Sequence, residues 1–206
     1  NNLKCVSEVL RFQACLIVNK ESWEGRDLSG WLATLGDRIS PDSRIRAPSA
    51  SAQAGASPAR YAQPKEDTNV VRLALPDGHQ QSPTCQLFSR AVIRVDDYPS
   101  ASGNRRPVSH LDGVFMKVIR PQDMPLQVAN GNFDLAITGK DWLTDHLIQF
   151  PSSPATEVLD LKFARVRIVS VVSNELPVNS AAELRRYYAE RGLTGRIGSG
   201  YPHPTE

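Results

Sequence analysis

Leu3, Val6, Val9 and Leu10 recur at helical spacing, and Cys15-Leu16-Ile17-Val18 is a short continuous apolar run of the kind a buried strand shows. The opening therefore predicts a helix leading into a buried strand. Leu28, Trp31, Leu32 and Leu35 fall on one face of a second predicted helix over residues 27–39, with Asp27 as its N-cap and Pro41 marking its exit. The pattern then vanishes. Residues 40–68 are dominated by Ala, Ser, Pro and Arg, with too little apolar surface to offset the entropy of ordering, and are expected to be a flexible linker. From Asn69 onward, short apolar runs alternate with amphipathic stretches. Strands are predicted over residues 70–75, 91–95, 113–118, 134–138 and 165–172, and helices through Cys85, Leu87 and Phe88 and over 121–130, 140–147 and 181–191. Such alternation predicts an α/β fold with a mostly parallel sheet.

Composition narrows the function classes. A 206-residue chain that is 40% hydrophobic and 22% charged is able to bury a core. Lys and Arg number 24 against 22 Asp and Glu, so bulk charge offers no grip on nucleic acid or on an acidic membrane, and any anion must be held locally. No apolar run approaches the roughly 18 to 20 residues that span a bilayer, and the first residues lack the core of a signal peptide. A cytoplasmic protein with neither nucleic acid nor membrane as partner is the expectation. Cys5, Cys15 and Cys85 show no C-x-x-C spacing and read as buried thiols, and the scattered His79, His110, His146 and His203 have no metal-ligand spacing. No nucleophile elbow or nucleophile-base pair is visible.

Chemistry in an open α/β sheet sits beyond the carboxyl ends of the strands, where helix N-termini present free N–H groups. One such turn is Leu75-Pro76-Asp77-Gly78-His79. Another is Ile137-Thr138-Gly139-Lys140-Asp141, whose hydroxyl, glycine and cation suit a phosphate, although taken alone these residues read first as a plain strand-to-helix junction with a solvated Lys. Arg120-Pro121-Gln122-Asp123 opens a helix with Asp123 in its first turn, as a cap or as a ligand group. Gly198-Ser199-Gly200-Tyr201-Pro202-His203 is a further hydroxyl-rich turn.

Together these motifs resemble the catalytic region of the ATP phosphoribosyltransferases. The resemblance is carried by Arg72-Leu73-Ala74-Leu75-Pro76-Asp77-Gly78-His79, Val118-Ile119-Arg120-Pro121-Gln122-Asp123-Met124-Pro125, Asp134-Leu135-Ala136-Ile137-Thr138-Gly139-Lys140-Asp141-Trp142, Val158-Leu159-Asp160-Leu161-Lys162-Phe163 with Arg167, and Arg196-Ile197 through Tyr201-Pro202-His203. Residues 1–23 resemble a segment that in the family follows the phosphate loop, so the order is permuted, and the chain is expected to stop short of that loop. The resemblance implies an α/β, two-lobed periplasmic-binding-protein-like fold with mostly parallel sheets and an incomplete second lobe. Residues 1–39 would pack on a first lobe at 69–150, joined through the linker at 40–68, with a partial second lobe at 151–206.

It further implies transfer of phosphoribosyl from phosphoribosyl pyrophosphate to N1 of ATP, the first step of histidine biosynthesis, with Mg2+ carried by the substrate phosphates. Asp77, Gly78, His79, Arg120, Thr138, Gly139, Lys140 and Tyr201 are the implied substrate-binding residues; no general base is assigned. A homo-oligomer or a regulatory subunit is the implied assembly. Two departures stand out: Asp77-Gly78-His79 replaces the family's usual Lys-Gly-Arg, and Gly200 stands where an acid often precedes Tyr-Pro. A catalytically impaired remnant or regulatory partner of an intact copy, and a small-anion binding protein, are the alternatives.

Overall fold

Residues Ala14–Asn19 are buried at every position, which a strand achieves with neighbours on both sides and layers on both faces. The computed structural model has this arrangement; it describes residues 2–28, 30, 32, 33, 35, 45–48 and 70–201. The chain divides into two units, Gln13–Ala164 and Asn1–Phe12 with Arg165–Glu206. Strand β1 (Leu3–Phe12) belongs to the second. The first holds, in chain order, β2 (Ala14–Asn19), α1 (Lys20–Gly25), β3 (Val71–Pro76), α2 (Gln81–Arg90), β4 (Val95–Asp96), β5 (Val108–Ser109), β6 (Val114–Ile119), α3 (Met124–Ala129), β7 (Leu135–Gly139), α4 (Lys140–Gln149) and β8 (Ala155–Asp160).

The central sheet of this unit has five strands in the order β6-β3-β7-β2-β8. β3 is parallel to β6 and β7, and β2 is antiparallel to β7 and β8. Four strands therefore run one way, as the expected α/β fold with a mostly parallel sheet requires. Side-chain alternation sorts the core into two layers. Leu16, Val18, Leu73, Leu75, Leu135 and Ile137 meet Leu87 and Phe88 of α2 together with Leu28, Leu32 and Leu35. Cys15, Ile17, Ala74 and Ala136 face Met124 and Val128 of α3 and Leu143 of α4. Each large side chain so buried contributes about 1.5–3 kcal/mol.

At the amino end of β7, Asp134 is wholly buried and fully matched. Arg72 donates to it from its backbone N (2.7 Å), Nε (3.2 Å) and Nη2 (3.1 Å), and Ser22 Oγ donates at 2.7 Å. Arg26 Nε lies 3.1 Å away. Burial pushes this carboxyl up, and the Arg72 and Ser22 hydrogen bonds more than offset it, so it is held below the usual carboxylate range. The network ties the segment around α1 to β3 and β7.

Several expectations change. The strand predicted over 91–95 is mostly a turn, with Val92 at φ 57, and only Val95–Asp96 pairs with Val108–Ser109. β8 was not foreseen, because its Thr156 and Glu157 interrupt the apolar run. Of the helix predicted over 27–39, Gly30, Leu32, Ala33 and Leu35 are helical, while Trp31 and residues 36–39 lie outside the described residues. The expected linker likewise lies outside them except at 45–48, where Ile45 packs against the core and Arg46 N donates to Val158 O at 2.8 Å.

The second unit contains β1, β9 (Val166–Ser173) and α5 (Ala181–Glu190). β1 is a strand and not the predicted helix: it pairs antiparallel with β9 from Leu3↔Ser173 to Phe12↔Val166, with register irregularities between Cys5 and Ser7 and between Glu8 and Leu10. Each irregularity inserts an extra residue on β1, Val6 and Val9, into the two-residue alternation, which is why the apolar positions mimic helical spacing. Cys5 is exposed here and Cys85 half-buried, so of the three expected buried thiols only Cys15 is one. α5 starts at Ser180, whose Oγ accepts from Glu183 N at 3.2 Å, and it has no buried residue. No described helix is long and apolar enough to cross a membrane.

Candidate functional site

Parallel pairing brings the carboxyl ends of β3, β6 and β7 side by side, and three turns leave the sheet there. Pro76 lies opposite Ile119, and Asp77 N donates to Ile119 O at 3.2 Å, so the first turn abuts the second. Thr138 Oγ1 donates to Pro121 O at 2.9 Å, which fastens the third turn to the second. Gly139 closes the triangle: a Cβ on it would lie 3.2 Å from Gln80 Nε2 and only 2.0 Å from Asp141 Oδ1. A side chain here would have to displace the Asp141 carboxylate of its own turn and would crowd Gln80 of the first.

Each turn has a local cause. Gly78 sits at φ +67, open to a residue without Cβ, and starts a single 3-10 turn, Gly78–Gln80, that runs into α2. Pro121 is the first residue of another 3-10 turn, Pro121–Asp123, at the start of α3, where its missing N–H is no loss. Asp123 is the N-cap of α3, yet its carboxylate makes no capping hydrogen bond. Gly139 is the N-cap of α4. Tyr98, buried beside α2, donates its hydroxyl to Pro76 O at 2.7 Å and supports the first turn from behind; burial pushes its phenol far above the usual range.

The implied binding residues divide by this geometry. Gly78, His79 and Arg120 are exposed, Asp77 is half-buried, and Thr138 and Gly139 are buried. The Thr138 hydroxyl is thus occupied inside the protein. Lys140 turns elsewhere: its Nζ reaches across β2 to Glu157 Oε2 on β8, at 2.7 Å, on the far side of β7 from β3. That hydrogen bond raises the lysine above its usual range. Nearby, Gln13 Nε2 and Lys162 Nζ both donate to Asp160 Oδ2, at 2.6 and 2.7 Å. Cys15 lies beneath this group of charges, and burial pushes its thiol up, which makes it inert. Tyr201 belongs to the second unit, where its backbone N donates to Ser199 Oγ at 3.0 Å.

Sequence reasoning missed three residues at these turns. Arg105 Nη1 lies 3.3 Å from Asp77 Oδ2, so a cation stands beside the acid of the first turn. Its loop is held by Asn104, which donates through Nδ2 to Asp97 Oδ2 (2.6 Å) and accepts through Oδ1 from Arg106 N (2.9 Å), while Val118 N donates to Arg105 O at 2.8 Å. The cluster Ser100, Ser102, Gly103 and Asn104 before two arginines was the available signal. Gln80 and Asp141, both buried at the contact of the first and third turns, gave none. A shallow hollow over α2 is lined by Ser82, Cys85, Gln86, Ser89 and Arg90, and burial pushes the Cys85 thiol up. Among the described residues no three His, Cys, Asp or Glu side chains gather as a metal site; of the acids at the turns, Asp77 lies beside Arg105, Asp123 is exposed and Asp141 is buried.

The fold and the three turns define an α/β protein with Gly78, His79 and Arg120 exposed at the carboxyl end of its sheet. Residues 120–206 match the family described as HisG, ATP phosphoribosyltransferase. The ATP phosphoribosyltransferase of Desulfatibacillum aliphaticivorans is 28% identical over 144 residues, covering 61% of this chain and 47% of that protein. That of Chlorobaculum parvum is 31% identical over 147 residues, covering 63% and 47%. The chain spans about half the length of the curated relatives it matches. Among solved structures, a periplasmic ABC-transporter binding protein from Brucella ovis with glutathione bound is similar with a TM-score of 0.42 and 10% identity over 94% of this chain and 45% of that one. Similarity to the ATP phosphoribosyltransferases thus spans residues 120–206 in the family match and about six-tenths of this chain in the relatives.

Proposed function

We propose that the sheet unit supplies one wall of an ATP phosphoribosyltransferase site, taking phosphoribosyl from phosphoribosyl pyrophosphate to N1 of ATP with release of pyrophosphate. The observation that carries this reading is the meeting of the Gly78, Arg120 and Gly139 turns at one end of the sheet, at the motifs shared with the family. Exposed Gly78 lets a polyanion approach the backbone, and Arg120 with Arg105 supplies charge. Tyr201 is implied as a substrate-binding residue by the family resemblance alone. Mg2+ arrives on the substrate polyphosphate, which fits acids too few to cage it. Catalysis in this reading is positioning and charge stabilisation, and no general base is assigned.

Titrating the purified chain with ATP and with phosphoribosyl pyrophosphate separately, then assaying pyrophosphate release with both present, tests it. Binding of both with turnover is the expected result, and binding of neither ends the reading. A second reading, a binding or regulatory partner that works beside an intact copy, is favoured by one observation: the Lys140 ammonium is already engaged by Glu157. ATP binding without turnover, with activity appearing on addition of an intact enzyme, is its signature.

A further inference from the structure

Gln80 is 2% exposed, and its Oε1 is a buried acceptor with no hydrogen-bond partner. Leaving such a group unmatched is destabilising, and a Met or Leu of similar size would avoid the cost. The rest of Gln80 is well placed. Its backbone O accepts the Thr84 hydroxyl at 2.8 Å, and its amide lies against Gly139, at the N-terminus of the ten-residue helix α4. It is also the last residue of the Gly78–Gln80 turn, directly behind the exposed Gly78 and His79. The carboxamide that carries the unmatched acceptor therefore lies at the contact between the two turns that bound the proposed site, with its Nε2 against Gly139.

We infer that Gln80 is a specificity-determining residue that accepts a hydrogen bond from a ribose hydroxyl when ligand seats on the Gly78 and Gly139 turns. The chemistry selects this group. A carboxamide oxygen offers nothing to a phosphate, which at neutral pH presents acceptors, whereas the hydroxyls of a ribose are donors. Both ATP and the phosphoribosyl donor carry such a ribose. Seating displaces the turn at Gly78, whose φ of +67 a glycine adopts without strain, and uncovers the oxygen. This inference rests on the reading of the turns as a substrate site.

The test titrates the full chain, as wild type, Q80M and Q80L, with three probes: ATP, ribose 5-phosphate and inorganic tripolyphosphate. Melting temperatures are recorded alongside. Loss of one hydrogen bond from a desolvated acceptor predicts about tenfold weaker binding of ATP, of ribose 5-phosphate, or of both in the variants, with tripolyphosphate unchanged. Which of the two weakens tells which ribose Gln80 reads. The variants are expected to melt about 2–4 °C higher, because an unmatched polar group has been removed. Unchanged affinities for every probe, or equal loss for all three, overturn the inference while the site reading stands. Wild-type protein that binds tripolyphosphate as tightly as ATP and takes up no ribose 5-phosphate overturns it without any variant. Wild-type protein that binds none of the probes overturns the site reading and this inference together.

Discussion

β7 has one end that is finished and one that is not. At its amino end Asp134 meets Arg72, Ser22 and Arg26 within 3.2 Å, and Asn19 N donates to Asp134 O at 3.0 Å. Asn19 itself caps α1 by accepting from Glu21 N at 2.8 Å and donates through Nδ2 to Val128 O, also at 2.8 Å. At the carboxyl end, glycines replace side chains, cations stand in solvent and Gln80 keeps a buried oxygen unmatched. Buried polar groups are matched wherever stability alone decides. The contrast within one strand separates the end that holds the unit together from the end left open to a ligand.

The largest expected effect is at the finished end. Asp134→Ala removes the buried carboxylate that Arg26 and Arg72 share, with Arg26 only 7% exposed, and is expected to cost about 3–5 kcal/mol in urea unfolding. A cost below about 1 kcal/mol would erase the distinction between the two ends. Next comes Gly139→Ala. Its Cβ would displace the buried Asp141 carboxylate and crowd Gln80, for a loss of about 1–3 kcal/mol. ATP affinity is expected to fall further than stability predicts, because the first and third turns are forced apart. Unfolding and titration on the same sample separate the two effects.

The two ends were not equally legible in the sequence. β2 and β7 were visible because a strand covered on both faces needs an unbroken apolar run, and Leu16-Ile17-Val18 and Leu135-Ala136-Ile137 are such runs. The turns at Gly78 and Gly139 were visible because glycine after a buried strand has few other uses. Asp134 read as the start of a strand, since nothing local reveals that Arg26 and Arg72 converge on it from far along the chain. Lys140 illustrates the converse: its place was correct by local pattern, but the direction of its side chain was set by Glu157 on a strand that the pattern did not show. β1 failed for a similar reason, its partner β9 lying more than 150 residues away.

Lys140 provides a sharper test of where the open end stops. Its pair with Glu157 is 44% and 20% exposed, so breaking it is expected to cost stability by less than about 1 kcal/mol. If the ammonium serves the site, E157Q frees it and tightens ATP binding a few-fold while K140M weakens it. Equal affinities in both variants would confine Lys140 to docking α4 over β2 and β8. Titration at low salt, where the charge is least screened, gives the clearer reading.

The smallest effect belongs to the other end of α4, where His146 Nε2 lies 2.7 Å from Ser153 Oγ. Burial pulls this imidazole below its usual value of 6.5, against a smaller opposing pull from Asp145. A group that binds its proton less readily folded than unfolded contributes stability that is present above the unfolded value. That stability falls as pH drops below about 6.5, because the unfolded chain then takes up protons first. Melting temperature is therefore expected to decline between about pH 6.5 and 5 in the wild type and to stay flatter in His146→Gln. ATP affinity at the opposite end of the helix should not follow that titration. Parallel loss of affinity and melting temperature with the His146 profile would mean that α4 couples its two ends, and the division drawn along β7 would not extend to the helix beside it.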